Sequence, residues 1–149
     1  IAFEDAEAYA AWAGKRLQSS EQWERAARGT DGRRYPWGNT YDPNRCNTHE
    51  SPRQNNVTTV AVGSRAECRS AEGVYDLVGN ADEWTVTRNK EGEDPVLLRG
   101  GSWNERGEVR GLTYLPSSAG VKYRGADMGI RCVGEPSRSW LERLTDGFR

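Results

Sequence analysis

The sequence predicts an α+β fold with a small twisted antiparallel sheet, two helices and long ordered loops. Three observations predict it. Within the first 134 residues helical spacing of apolar residues is confined to the stretch before Gly29, and the clear strand patterns come only from Glu83 onward. Between them lies a long segment dominated by turn residues. The composition agrees: of 149 residues only 35% are hydrophobic, while 17 are Gly and six are Trp. That profile suits a loop-rich domain pinned by large aromatics rather than a helical bundle or a parallel sheet.

Glu4 to Ala13 reads as a helix, with Phe3, Ala6, Tyr9, Ala10 and Ala13 near helical spacing and Gly14 as the stop. A second helix begins at Ser19, whose hydroxyl can cap it, and Gln22 completes a capping box. Trp23, Ala26 and Ala27 supply its apolar face and Gly29 ends it. From Thr30 to Glu72 the turn signals Asp31-Gly32, Tyr35-Pro36-Trp37-Gly38 and Pro43-Asn44 predict an irregular, ordered loop region. Val57 to Val62 alternates weakly. Glu83 to Thr87 and Val96 to Arg99 read as neighbouring strands joined by a charged tip, Arg88 to Asp94, and Met128 to Val133 as a closing strand. Beyond Gly134, Ser137 can cap a short helix carrying Trp140, Leu141 and Leu144. The expected organisation is one domain over residues 1–134 and a helical extension over 135–149. Trp12, Trp23 and Trp84 fall at core positions; Trp37 and Trp103 either pack or line a binding site.

A net charge of −1 gives no reason to expect nucleic acid or an anionic membrane as partner. No apolar run approaches the ~20 residues of a membrane span. Cys46, Cys68 and Cys132 are too few for a disulfide scaffold and form no Cys/His metal pattern, although Cys46 and Cys68 could pair across their loop. His49 is the only histidine, so a multi-histidine iron site cannot be built within the chain and Ser102 lacks a histidine base.

The run Gly73-Val74-Tyr75-Asp76-Leu77-Val78-Gly79-Asn80-Ala81-Asp82-Glu83-Trp84-Thr85 places two carboxylates, Asp76 and Glu83, on either side of a Gly-Asn turn. Hard oxygen donors on a tight turn are what Ca²⁺ takes, although the spacing is not that of an EF-hand loop. The competing reading is that both carboxylates cap turns or pair with arginines.

Other blocks accompany this one. They are Asp5-Ala6-Glu7-Ala8-Tyr9-Ala10-Ala11-Trp12, Glu24-Arg25-Ala26-Ala27-Arg28-Gly29, Tyr35-Pro36-Trp37-Gly38, Leu98-Arg99-Gly100-Gly101-Ser102-Trp103 and Met128-Gly129-Ile130-Arg131-Cys132. In that order, over about residues 1–133, the chain resembles the formylglycine-generating enzyme family, also called the sulfatase-modifying-factor family, which has a C-type-lectin-like fold. The resemblance implies Ca²⁺ bound by the carboxylates of Asp76 and Glu83 and the carbonyls of Gly79 and Ala81. A second calcium site would use Asn47 and Thr48, but the Asp expected further along that loop is missing and Gln54, Asn55 and Asn56 stand near it. The family's oxidase chemistry uses two copper-binding cysteines shortly after Arg-Gly-Gly-Ser. Here Glu105 falls at the first position and Arg110 at or near the second. Neither binds Cu(I) as a thiolate does, so copper and formylglycine formation are not expected. The cysteine that can bridge to the Gly-Ile-Arg-Cys position is replaced by Ala10, which leaves Cys132 a free thiol. Family habit favours an exported or periplasmic bacterial location. Family members also carry strands before the first helix that this chain lacks, so that segment, a partner chain or the tail beyond Gly134 is expected to cover a sheet edge.

The function these residues suggest is a non-catalytic module that holds a protein or peptide. Its expected surface is Trp103, Asn104, Glu105, Arg106, Arg110, Tyr114, Tyr123 and Arg124, a mixture suited to recognition loops. The alternatives are an oxidoreductase of the same family acting without the copper pair, with Glu105 as its acid or base, and a regulatory or structural domain of a larger protein.

Overall fold

The computed structural model describes residues 1–52, 58–88 and 96–134. Helix α1 spans Phe3–Trp12 and is followed by strand β1, Arg16–Leu17, and helix α2, Ser20–Arg28. Strands β2 (Asp82–Arg88) and β3 (Val96–Arg99) come next, then the four-residue helix α3 (Gly107–Arg110), and finally β4 (Ser117–Ala119), β5 (Met128–Ile130) and β6 (Cys132–Val133). Both expected long helices form. The capping box at α2 is closed in both directions: Ser19 Oγ accepts from the Gln22 amide at 3.2 Å, and Gln22 Oε1 accepts from the Ser19 amide at 2.9 Å.

The main sheet has the order β4-β3-β2-β5. It is antiparallel except where β5 runs parallel to β2, with Glu83 opposite Gly129. In the β2·β3 pair Glu83 faces Arg99 and Trp84 faces Leu98. The closing strand expected over Met128 to Val133 divides at Arg131: its first half joins β2, and its second half pairs with β1 as a two-stranded ribbon. The break serves the Arg131 side chain, which reaches Glu83 in the neighbouring strand. Residues 58–62 form no strand. Val60 bonds instead to the Asn80 side chain, with its amide on Oδ1 at 2.8 Å and its carbonyl accepting from Nδ2 at 3.3 Å.

Phe3, Ala6, Ala10, Leu17, Trp84, Val96, Leu98 and Met128 make the principal core, with the Phe3 and Trp84 rings edge to face at 5.8 Å. Trp23, Ala27 and Leu77 form a second cluster, and the Arg99 guanidinium lies 5.4 Å from the Trp23 ring. Trp12 corrects the sequence reading. It is 81% exposed and leans on Tyr9, itself exposed, at 5.6 Å. Helix α1 buries only the narrow stripe Phe3, Ala6 and Ala10, which turns Tyr9 and Trp12 to the outside. Cys46 and Cys68 form a disulfide inside the loop region, and Cys132 is a half-buried free thiol. The charged tip beyond Arg88, Gln54 to Asn56 and the tail with Ser137 lie outside the described residues.

Candidate functional site

Two clefts flank β2. The first lies over the turn that leads into it. Asp76 and Asn80 both adopt left-handed backbone, with φ of 56° and 65°, and Gly79 sits between them at 69°. Only glycine fits at position 79: a Cβ there would stand 2.2 Å from the Asn47 carbonyl oxygen. Asn47 and Thr48, the pair expected at the second calcium site, are buried and build this turn. The Asn47 carbonyl accepts from the Asn80 amide at 2.8 Å, Asn47 Nδ2 donates to the Thr58 carbonyl at 3.0 Å, and the Thr48 and Tyr41 hydroxyls lie 3.0 Å apart.

Val60, Gly63, Tyr75, Asp76, Glu83 and Arg131 line the resulting cleft of about 600 Å³. Glu83 is the buried hub. Its two oxygens accept from Arg131 Nε and Nη2 at 2.5–3.1 Å, and Oε2 also accepts from Gln18 Nε2 at 2.7 Å. Arg131 Nη2 donates as well to the Tyr75 carbonyl at 2.9 Å, while Asp76 Oδ2 accepts from the Gly63 amide at 2.6 Å. Arginine pairing is therefore what Glu83 does in this arrangement. The turn offers oxygen donors of the type calcium takes. Among the described residues no three His, Cys, Asp or Glu side chains are grouped to hold a metal ion. An ion in this turn would rest on backbone carbonyls and would share Glu83 with Arg131.

The second cleft, of about 360 Å³, opens on the other side of β2 between the Gly101 to Arg110 loop and strands β4 and β5. The Arg-Gly-Gly-Ser block makes the loop compact: Gly101 has φ of 69°, and a Cβ on it would meet Arg110 Cβ at 2.6 Å. Glu105 Oε2 accepts from the Ser102 amide at 3.1 Å and Oε1 from Arg110 Nε at 2.8 Å. Arg110 Nη2 continues to Asp82 Oδ2 at 3.2 Å, which also accepts from Ser117 Oγ at 3.4 Å. The loop is pinned from below by Glu50, whose Oε2 accepts from the Gly107 amide at 2.9 Å. Asp82 is the unusual group. Its side chain is only 7% exposed and its Oδ1 has no hydrogen-bond partner. Burial and the neighbouring Glu105 charge push its carboxyl up to about 7, against the opposing pull of Arg110.

Of the expected recognition surface, Glu105, Arg110 and Tyr123 meet in this cleft. Most of the others are engaged elsewhere. Arg106 pairs with Glu50 and Glu108, Tyr114 lies under the Arg28 guanidinium at 5.3 Å, and Arg124 pairs with Asp5. Trp103 is half-buried beside the turn, its amide donating to the Asn80 carbonyl at 3.1 Å, and Asn104 is exposed. Sequence reasoning missed Asp82 and Arg131. The available signal was strand alternation: successive residues of β2 face opposite sides, so Asp82 and Glu83 could not serve one site.

Residues 1–136 match the family of sulfatase-modifying factor enzyme 1-like domains. "Inactive C-alpha-formylglycine-generating enzyme 2" from Bos taurus is 40% identical, over 93% of this chain and 50% of its own length. The formylglycine-generating enzyme of Thermomonospora curvata is also 40% identical, over 56% of this chain and 31% of its own. The chain thus spans about half, or less, of the curated relatives it matches. Among solved structures, PvdO from Pseudomonas aeruginosa superposes with a TM-score of 0.74 at 24% identity, covering 87% of this chain and 58% of that one. At that identity the likeness speaks for the fold, and it agrees with the mixed α+β architecture. The chain belongs to the formylglycine-generating enzyme-like, sulfatase-modifying-factor family.

Proposed function

We propose that this chain is a non-catalytic binding module that holds a protein or peptide at the cleft beside Glu105 and Arg110. One observation carries the reading. The two positions that the family resemblance assigns to copper thiolates hold a glutamate and an arginine bonded to each other at 2.8 Å. A carboxylate–guanidinium pair offers Cu(I) no soft ligand. A relative whose own name describes it as inactive supports the same direction. The oxidoreductase alternative is less well served, because both Glu105 oxygens already accept hydrogen bonds, from Arg110 and from Ser102.

Three further points belong to the proposal. Ca²⁺ would steady the Asp76 to Glu83 turn. A preceding segment or a partner chain would cover an outer strand of the main sheet. The Cys46–Cys68 disulfide suits an oxidising, exported setting. Two measurements test the function. Incubation with Cu(I), oxygen and a Cys-x-Pro-x-Arg peptide should leave the peptide mass unchanged; repeated turnovers to the aldehyde would overturn the reading. A partner captured from the native source should bind the purified chain directly and lose that binding when Arg110 and Tyr123 are replaced by alanine.

A further inference from the structure

We infer that the Asp82 cleft takes a cationic side chain, a lysine or arginine of an extended peptide, with Asp82 Oδ1 as its acceptor. The inference rests on the binding-module reading and names the ligand chemistry for that site. Three carboxylates, Asp82, Glu105 and Asp127, line the cleft against one cation, Arg110. Arg110 is committed twice within the protein, so the surplus charge is negative. Leu98, Ala119 and Met128 give the wall an apolar strip on which a methylene stem can lie while its charged head reaches the acids.

The acid cluster alone would not distinguish a ligand site from a solvated patch; Asp82 does. Its Oδ2 accepts from Arg110 and Ser117, and the Gly101 backbone amide also favours the charged form, while Oδ1 is buried with no hydrogen-bond partner. A buried acceptor left without a donor is costly, and a donor arriving from outside recovers that cost. A peptide fits better than a free amine because Ser117, Ser118 and Ala119 of β4 line the same cleft. Strand β4 ends the sheet order, paired with β3 on one side. An extended peptide laid along that strand would present alternate side chains, one of them to the cleft.

The test is an NMR titration of the chain with acetyl-Ala-Ala-Lys-Ala-Ala-amide, its arginine, norleucine and glutamate counterparts, and cadaverine. The lysine and arginine peptides should shift the Asp82, Ser118 and Ala119 amides. Norleucine, which keeps the stem and lacks the charge, should bind at least tenfold more weakly, and glutamate not at all. Asp82→Asn, checked for an unchanged fold by its spectrum, should weaken lysine-peptide binding at least tenfold. Failure of the lysine peptide to bind, equal binding of norleucine, or indifference to Asp82→Asn would each overturn the inference. Cadaverine binding as tightly as the peptide would overturn the peptide as its source. None of these outcomes touches the binding-module reading, which stands or falls on the peptide-mass measurement and on capture of the native partner.

Discussion

Replacing Arg110 by methionine is the sharpest probe of the charge chain that runs from Glu105 through Arg110 to Asp82. The substitution keeps much of the aliphatic packing and removes the guanidinium. Two charge-assisted hydrogen bonds disappear, at 2.8 Å to Glu105 and 3.2 Å to Asp82. Glu105 is one-third exposed and can rehydrate, but the Asp82 side chain, 7% exposed, cannot. Breaking a fully buried pair costs about 3–5 kcal/mol. Here Arg110 is 24% exposed and Asp82 can escape by binding a proton, since its carboxyl already sits up at about 7. The expected cost near neutral pH is therefore about 2–3 kcal/mol. Asp82→Asn removes the stranded charge, so adding it to Arg110→Met should recover about 2 kcal/mol relative to the sum of the single changes. Urea denaturation of the four proteins at pH 7.5 measures this, and a coupling of that size moves the midpoint by about 1 M. Additivity within about 0.5 kcal/mol would refute the coupling of Asp82 to Arg110.

Other expectations follow from the same geometry. Burial works against the Glu50 charge, but the Gly107 amide, Arg106 and the Tyr41 hydroxyl prevail and hold its carboxyl below the ordinary 4.5. Its contribution is present above that value and is lost as the pH falls through the lowered one. The stability gap between the parent and Glu50→Gln should thus be open at pH 7 and narrow as the pH falls below 4.5 in thermal melts. Gly79→Ala should destabilise by about 3 kcal/mol or more, because left-handed backbone and a 2.2 Å approach to Asn47 combine. Gly63→Ala, also left-handed but with nothing within 4 Å of its Cβ, should cost only about 1 kcal/mol by denaturant titration. If the Asp76 to Glu83 turn binds Ca²⁺, saturating ion should stabilise the chain by about 3 kcal/mol at a hundredfold excess over Kd. Asp76→Ala with Glu83→Ala should abolish that gain, and melting that ignores both ion and chelator would end the calcium proposal.

Local chemistry was enough for part of this molecule. Ser19 and Gln22 declare the start of α2 because a capping box is satisfied within four residues. Strands β2 and β3 are legible from β-propensity and proximity, and the family blocks, read together, identified the fold. Glu105 and Arg110 were visible as single letters. What neighbours do to those letters was not. Whether Glu83 meets an ion or an arginine depends on Arg131, 48 residues away, leaving its strand to reach it. Trp12 is exposed because α1 packs only the narrow stripe Phe3, Ala6 and Ala10 into the core, and that need is set by the partner surface rather than by the helix. Asp82 reads in the sequence as one more acid in a turn. Only the tertiary fold buries it, pairs one oxygen with Arg110 and Ser117 and leaves the other unpartnered. Caps and turns are decided within a few residues, where the chain carries its own partners. Burial and charge pairing depend on groups far apart in sequence, so the chemistry of both clefts was decided only when the sheet brought those groups together.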